Sequence, residues 1–503
     1  IFFKSNLPLS SAEETAMSVS AVPENAPATA DSAPEPPGDG LRRTMRSRHL
    51  VMIAMGGVIG SGLFLSSGFT VSQAGPLGAV LAYLVGAFVV WLVMACLGEL
   101  AVTYPVSGAF HVYASRSIGP ATGFATAWLY WLTWAVALGS EFTACGLLMQ
   151  RWFPGVDVWI WCVVFAAVVF GVNAFSARVF GETEYWFSLV KVVAVVALIV
   201  LGGAALAGFH PLAEGGSHPF LLENFSTEDG LFPHGFSGVL VTVLAAFYAF
   251  SGSELIGVAA GETEDPAQAV PKALRVTVIR LLVFFVGAIT VIAATIPYDE
   301  VGLDESPFVT VFSSIGIPYA ADVMNFVIIT ALLSAGNSGL YSCARMLFSL
   351  AQEKQAPQAL RRLTRRGIPL TALSLSMLGG LASLVSSVAA PETVYLVLVS
   401  IAGFAAVGVW MSIVAAQFFH RRAFVREGGD PRTLPYRTPF YPVVPVLAFV
   451  LCLASLAGIA LDPAQATALY FGVPFVAGCY LYHWLRHGRH RTSGTSGASG
   501  TVA

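Results

Sequence analysis

The chain has 503 residues, 56% of them hydrophobic and 11% charged, with a formal net charge of −3. Soluble chains carry about 25% charged residues and one membrane-spanning helix takes about 20 apolar residues, so this composition excludes a soluble enzyme, a single-pass receptor and a nucleic-acid binder. Unbroken apolar runs also exclude an outer-membrane barrel, whose strands alternate apolar and polar residues.

Residues 1–41 are rich in Ala, Pro, Ser and Glu. Such a segment cannot bury enough apolar surface to offset its ordering entropy, and a disordered tail is expected. Met17 is a candidate start, which would leave residues 1–16 outside the native product. Apolar runs bounded by charge, Pro or Gly then predict twelve spans, near 49–71, 77–102, 119–149, 157–177, 184–208, 236–261, 275–296, 320–350, 370–389, 393–418, 441–461 and 465–486. The membrane domain is expected over 42–487 and a second disordered tail over 488–503.

Lys and Arg are retained on the cytoplasmic side of a membrane. With the N-terminus inside, 24 of the 26 Lys and Arg fall in tails, cytoplasmic loops or the cytoplasmic ends of spans; Arg151 falls outside and Lys191 well within a span. The expected protein therefore crosses a membrane twelve times with both termini cytoplasmic. Its six cysteines lie in apolar runs without disulfide or metal spacing and read as small buried hydrophobes.

Span one holds Gly56, Gly57, Gly60 and Gly62. Each costs about 1 kcal/mol against alanine in a helix, so the middle of the span is expected to break. Backbone groups freed at mid-bilayer are tolerated where they are buried in protein or line a cavity. Half-helix ends there suit an anion on one side and a cation on the other, the pair that an amino acid carries. Close packing through small residues explains the glycines equally well. A second interruption in span six, at Ser251, Gly252, Ser253 and Glu254, favours the binding site, because paired broken helices at corresponding positions point to a transporter.

Lys191 is the one basic residue well inside a span, and an intramembrane charge is costly enough to be a functional candidate. Its expected role is proton coupling, against that of a fixed cation pinning spans one, five and eight. Glu141 lies deep in span three on one helical stripe with Trp134 and Tyr130. A carboxylate among aromatics suits a long cationic side chain through charge pairing and cation–π contact; an acid hydrogen-bonded between helices is the competing reading. Two roles fit Glu254, capping the second half of span six and touching substrate. Glu99 and Glu184 are expected to be structural, Glu184 as an acid at the start of span five. Ser334 and Asn337 of span eight either approach Lys191 or serve as packing glue. No Gly-Lys pair occurs, hence no P-loop for nucleotide and no direct ATP drive.

The stretches GGVIGSGLF (56–64), SQAGPLGA (72–79), LGELA (97–101), YPVSGAF (104–110), FGETEYWFSLVKV (180–192), ELIGVAAGETEDP (254–266), LSAGNSGLYSCARML (333–347) and LPYRTPFYP (434–442) recur in order along the chain. In them the sequence resembles the amino acid-polyamine-organocation superfamily and its bacterial amino acid permeases, the strings at 180–192 and 254–266 being most similar to lysine-specific permeases. The resemblance implies a LeuT-type fold of five plus five inverted helices, with helices one and six interrupted and two further C-terminal helices. It implies that the N–H groups at Gly60, Ser61 and Gly62 receive the substrate carboxylate. Val58 and the carbonyls near Tyr248, Ala249 and Ser251 would face the α-ammonium, and Tyr248 would cover the substrate. It further implies that the Lys191 ammonium stands where LeuT-type transporters bind sodium, and that Glu262 matches an acidic position near the inner end of span six, a candidate for gating or proton coupling.

The expectation is thus an all-α integral protein of the bacterial inner membrane with twelve helices, not an enzyme, that imports an amino acid by proton symport with alternating access. L-lysine or another cationic amino acid is the expected substrate. Because Glu141, Ser251 and Ser253 depart from the lysine-permease pattern, a permease for a neutral or aromatic amino acid is an alternative; a non-transporting amino acid sensor is another. The implied partners are the amino acid, protons as coupling ion and the lipid bilayer, with no metal, other cofactor, nucleic acid or ATP.

Overall fold

The computed structural model describes residues 47–492 apart from 107, 176, 209–222, 226–231, 304, 366 and 461–464. Residues 1–41, expected as a tail, lie outside the described residues, whereas the last helix runs to Thr492, past the boundary expected at 487.

Helix α1 (Ser47–Val58) ends at the glycine-rich stretch, where Ile59 and an extended Gly60 interrupt the chain before α2 (Ser61–Phe64). Helix α3 (Ser66–Thr103) contains Gly75 at φ 72° and ψ 174° directly before Pro76. Proline bars its predecessor from the helical region, so α3 is two helices in sequence, and the bend falls between the stretches expected as spans one and two. Next come α4 (Ala109–Ser117) and α5 (Pro120–Met149), the latter opened by proline at its first position. Helix α6 (Val158–Phe175) precedes α7 (Ala177–Ala197), which passes through one π-turn into α8 (Gly203–Leu206). Helices α9 (Gly235–Phe250) and α10 (Leu255–Ala259) flank the second interruption. Helix α11 (Pro266–Thr295) starts at Asp265, whose carboxylate accepts the Gln268 N–H at 3.3 Å. The remaining helices are α12 (Pro307–Ile315), α13 (Ala320–Gln352), α14 (Leu370–Gly380), α15 (Pro391–Arg426), α16 (Val443–Ile459) and α17 (Ala466–Thr492).

Among the described residues eight helical stretches are long and apolar enough to cross a membrane, and 158–174 and 443–459 are shorter apolar helices. Helices α7, α11 and α15 overrun the expected spans by several residues, to begin at Ala177 and Pro266 and to end at Arg426. Hydropathy delimits the part of a helix that faces hydrocarbon, and backbone hydrogen bonding carries the helix on into polar sequence. This places Glu184 two turns inside α7 and not at its start, so its partners are side chains, Ser188 of its own helix and Ser334 of α13, and not the free N–H groups of a helix end. Helices α4 and α12 are short connecting helices that no apolar run announced.

Helix α5 occupies the centre: its apolar window is 94% buried, against 33% for residues 186–206 and 44% for the window in α11. The outward faces of these two carry Trp186, Val193, Val200, Ile279 and Val283, each more than half exposed. Large apolar surfaces of this kind require an apolar surrounding, here the bilayer. All six cysteines are buried free thiols.

On the side where the basic clusters lie, Arg421 of α15 binds Glu99 of α3 through two guanidinium hydrogen bonds, one of them from Nε at 2.8 Å. The Thr438 N–H donates to the same carboxylate at 2.8 Å. Both charges are buried, and the cluster joins α3, α15 and the 434–442 segment. Glu99, expected from the sequence to be structural, thus ties together three remote parts of the chain.

Candidate substrate site

The two interruptions pack backbone against backbone. Gly252 has φ 102°, and a Cβ there would stand 2.9 Å from the carbonyl carbon of Gly57 and 3.1 Å from the nitrogen of Val58. Only glycine combines that conformation with that approach. Gly62 is similarly close to the backbone of Ala249, whose Cα would stand 2.5 Å from a Cβ added to Gly62.

Between the breaks lies a cavity of about 20 Å³ lined by Gly57, Val58, Gly60, Gly62, Thr133, Trp134, Ala137, Glu141, Tyr248 and Ser251. That is room for about one water, so an amino acid enters only when the surrounding helices part. Seven of the residues singled out from sequence line it: Val58, Gly60, Gly62, Trp134, Glu141, Tyr248 and Ser251.

Ser61 and Glu141 define its polar end. The Ser61 N–H, the first donor after the break, lies 3.1 and 3.2 Å from the two carboxylate oxygens of Glu141, and Ser61 Oγ donates to Oε1 at 3.0 Å. Gly60 permits this approach, since a Cβ at that position would lie 2.7 Å from Glu141 Oε1. Hydrogen bonds to a charged acceptor contribute about 1.5–3 kcal/mol each, which offsets part of the cost of burying a carboxylate. The Tyr248 hydroxyl lies 2.8 Å from Ser140 Oγ and 3.4 Å from Ser61 Oγ, over the same end. From α15 the Tyr395 hydroxyl donates to the Ser61 carbonyl at 3.0 Å, and from α3 the Tyr83 hydroxyl donates to the Gly62 carbonyl at 3.2 Å. The carbonyl of Tyr248 accepts the Ser251 N–H at 3.0 Å within the second break.

The other residues read from sequence lie around the cavity. Lys191 is fully buried on α7 and donates from Nζ to the carbonyl of Gly56, next to the cavity residue Gly57. Ser334 of α13 donates to both oxygens of Glu184, at 2.9 Å each. Asn337 accepts from Asn173 of α6 at 2.6 Å. Glu254 turns back onto its own break, accepting the Gly252 N–H at 3.1 and 3.0 Å and Trp410 Nε1 at 3.3 Å; it caps the turn and does not line the cavity. Tyr130, one turn from Trp134, meets the Phe110 ring edge-on at 4.9 Å. Glu262 closes the 3₁₀ turn after α10, and its side chain falls outside the described residues.

Sequence reasoning missed Ser140, Tyr395, Tyr83 and Trp410. Only Ser140 carried a signal, as the neighbour of Glu141; the others reach the breaks from helices that are remote in sequence.

The chain matches the family model for amino acid permeases over residues 49–493. It is 52% identical over 448 residues to the putative histidine permease of Bacillus subtilis, covering 89% of this chain and 94% of the relative. It is 53% identical over 447 residues to the amino-acid permease RocE of the same organism, covering 89% and 95%. With the lysine-specific permease LysP of Escherichia coli it shares 40% over 468 residues, covering 90% and 95%. The chain belongs to the amino acid permease family, within the superfamily its sequence resembles, and is a multi-pass membrane transport protein.

Proposed function

We propose that this permease imports an amino acid with a cationic side chain, lysine first, together with protons, by alternating access. The observation that carries the reading is the carboxylate on Ser61: the atoms at which span one resumes accept a carboxylate in a buried, water-poor setting, as a substrate's α-carboxylate requires. An incoming α-carboxylate takes the Ser61 N–H, and the Glu141 carboxylate it displaces becomes the partner of the substrate's positive side chain, with Trp134 beside it. Tyr248 closes over the pair. Lys191, on the Gly56 carbonyl, links the protonation of α7 to the position of α1.

This reading uses a LeuT-type arrangement with both termini cytoplasmic. Span one is then α1, α2 and the first part of α3, and span two the rest of α3. Helices α5, α6, α7 with α8, α9 with α10, α11, α13, α14, α15, α16 and α17 supply the other ten. Relatives named for histidine and for lysine both support a nitrogenous side chain.

The test is uptake into proteoliposomes that contain no other protein, driven by an imposed pH gradient with and without sodium, with labelled lysine competed by histidine, arginine, leucine and phenylalanine. Sodium-independent accumulation competed by the cationic members supports the proposal. Stronger competition by leucine or phenylalanine assigns a neutral or aromatic substrate, and binding without net uptake leaves the sensor.

A further inference from the structure

We propose that His111 and Glu353 form a proton-dependent tie that holds the inner face of the permease closed. The proposal rests on the reading of the chain as an alternating-access importer with this basic face inside.

His111 of α4 is buried, with Nδ1 2.8 Å from the Gly108 carbonyl and Nε2 3.0 Å from Glu353 Oε1. A carbonyl oxygen only accepts, so Nδ1 carries a hydrogen; an ionised carboxylate also only accepts, so Nε2 must carry one too. The tautomer follows from these partners. The pair therefore holds one proton more than a neutral imidazole beside a carboxylate. Removing it ends the charge pairing and leaves one ring nitrogen with a lone pair facing either the carboxylate or the Gly108 carbonyl, so the tie weakens. Histidine is the side chain that exchanges protons across the physiological range.

The tie links α4, which packs on the second half of the broken span six, to the segment that follows α13. Phe110, next to His111, packs edge-on against Tyr130 of α5 at 4.9 Å and lies 3.2 Å from a Cβ placed on Gly257 of α10, the second half of the broken span six. Glu353 directly follows α13, which carries Ser334 and Asn337. With the proton on, α4 is fastened across α10 to the end of α13 by a charge-assisted bond; with it off, that fastening is weaker.

The charged groups around the pair keep the carboxylate ionised. Burial pushes the Glu353 carboxyl up, but the hydrogen bond and charge of His111, with Arg116, outweigh it and hold Glu353 below the usual carboxylate range. Arg116 sits over the Tyr104 ring at 5.0 Å, and His420 of α15 meets that ring at 5.3 Å from the other helix. Gln355 Nε2 donates to the second Glu353 oxygen at 3.2 Å, and Arg486 of α17 donates to the Lys354 carbonyl at 2.8 Å, which fixes the segment after α13. An acidified cytoplasm would thus slow the step that releases further protons into it.

Two readouts test this on the full chain. The first is hydrogen–deuterium exchange of α4 amides in detergent from about pH 6 to about pH 8, corrected for the chemical rate. The second is lysine exchange by proteoliposomes at fixed outer pH over the same inner range. Wild type should lose α4 protection several-fold as pH rises and exchange several-fold faster, while His111→Gln and Glu353→Gln should show neither slope. A wild-type α4 indifferent to pH, or a His111→Gln variant with the wild-type slopes, overturns the tie; so does a responsive α4 with pH-independent exchange. A responsive α4 in a protein that exchanges no amino acid at all overturns the gate and, separately, the transport reading.

Discussion

The Glu141 carboxylate rests on the N–H and hydroxyl of Ser61, eighty positions away in the chain, at 3.0 to 3.2 Å. It thereby occupies the first backbone donor that the broken helix offers after its interruption. A residue expected to face the substrate's side chain is found on the atoms expected to hold its carboxylate, and the two roles are reconciled if substrate binding exchanges one carboxylate for another.

That exchange makes a specificity prediction. In Glu141→Gln the amide still accepts from Ser61, but a neutral acceptor is worth about 1 kcal/mol less than a charged one, or roughly fivefold in affinity. Neutral amino acids should compete more strongly by about that factor, while lysine, deprived of its counter-charge, should bind more weakly. Inhibition constants for leucine and lysine measured side by side check this; a variant in which their ratio is unchanged contradicts the exchange.

Lys191 has its ammonium on the Gly56 carbonyl, with no water-exposed surface. Lys191→Gln retains a donor for that carbonyl and removes the charge. Uphill lysine uptake driven by a pH gradient should be abolished while exchange of internal for external lysine survives within a few-fold. Undiminished pH-driven accumulation in Lys191→Gln and Lys191→Ala would show that this lysine only pins the helices.

Gly252→Ala should inactivate the protein. The new methyl meets backbone atoms of Gly57 and Val58 at 2.9 to 3.1 Å, and φ 102° disfavours any side chain. Backbone neighbours cannot swing aside as a side chain would, so the two breaks must separate and substrate binding should fall more than tenfold. Equilibrium binding of labelled lysine to folded, size-excluded protein is the measurement, and wild-type affinity would refute the packing of the two breaks.

Glu99→Gln should lower stability and spare the site. Removing one partner of a buried ion pair leaves an uncompensated charge at a cost of about 3–5 kcal/mol, here the Arg421 guanidinium. The melting temperature in detergent should drop by several degrees while the surviving folded fraction binds substrate with ordinary affinity. A loss of affinity without a loss of stability would place Glu99 in the transport machinery.

The sequence by itself determined that this is a membrane protein, where the apolar middles of its long helices lie, where two of its helices are interrupted, and which few charges stand among apolar residues. Those properties are local: apolar runs report transfer to hydrocarbon, and Gly56, Gly57, Gly60, Gly62 and Gly252 report where a helix is weak, whatever the rest of the chain does. Tertiary structure decided the partners. That Glu141 turns to Ser61 and not outward, that Glu254 folds back on Gly252 and Trp410, that Glu184 is held by Ser334, and that Tyr395 and Tyr83 reach the first break all depend on how remote helices are brought together. A buried carboxylate takes the donors its surroundings offer, because leaving it unpaired costs several kcal/mol, and no periodicity along the chain records which donors those are.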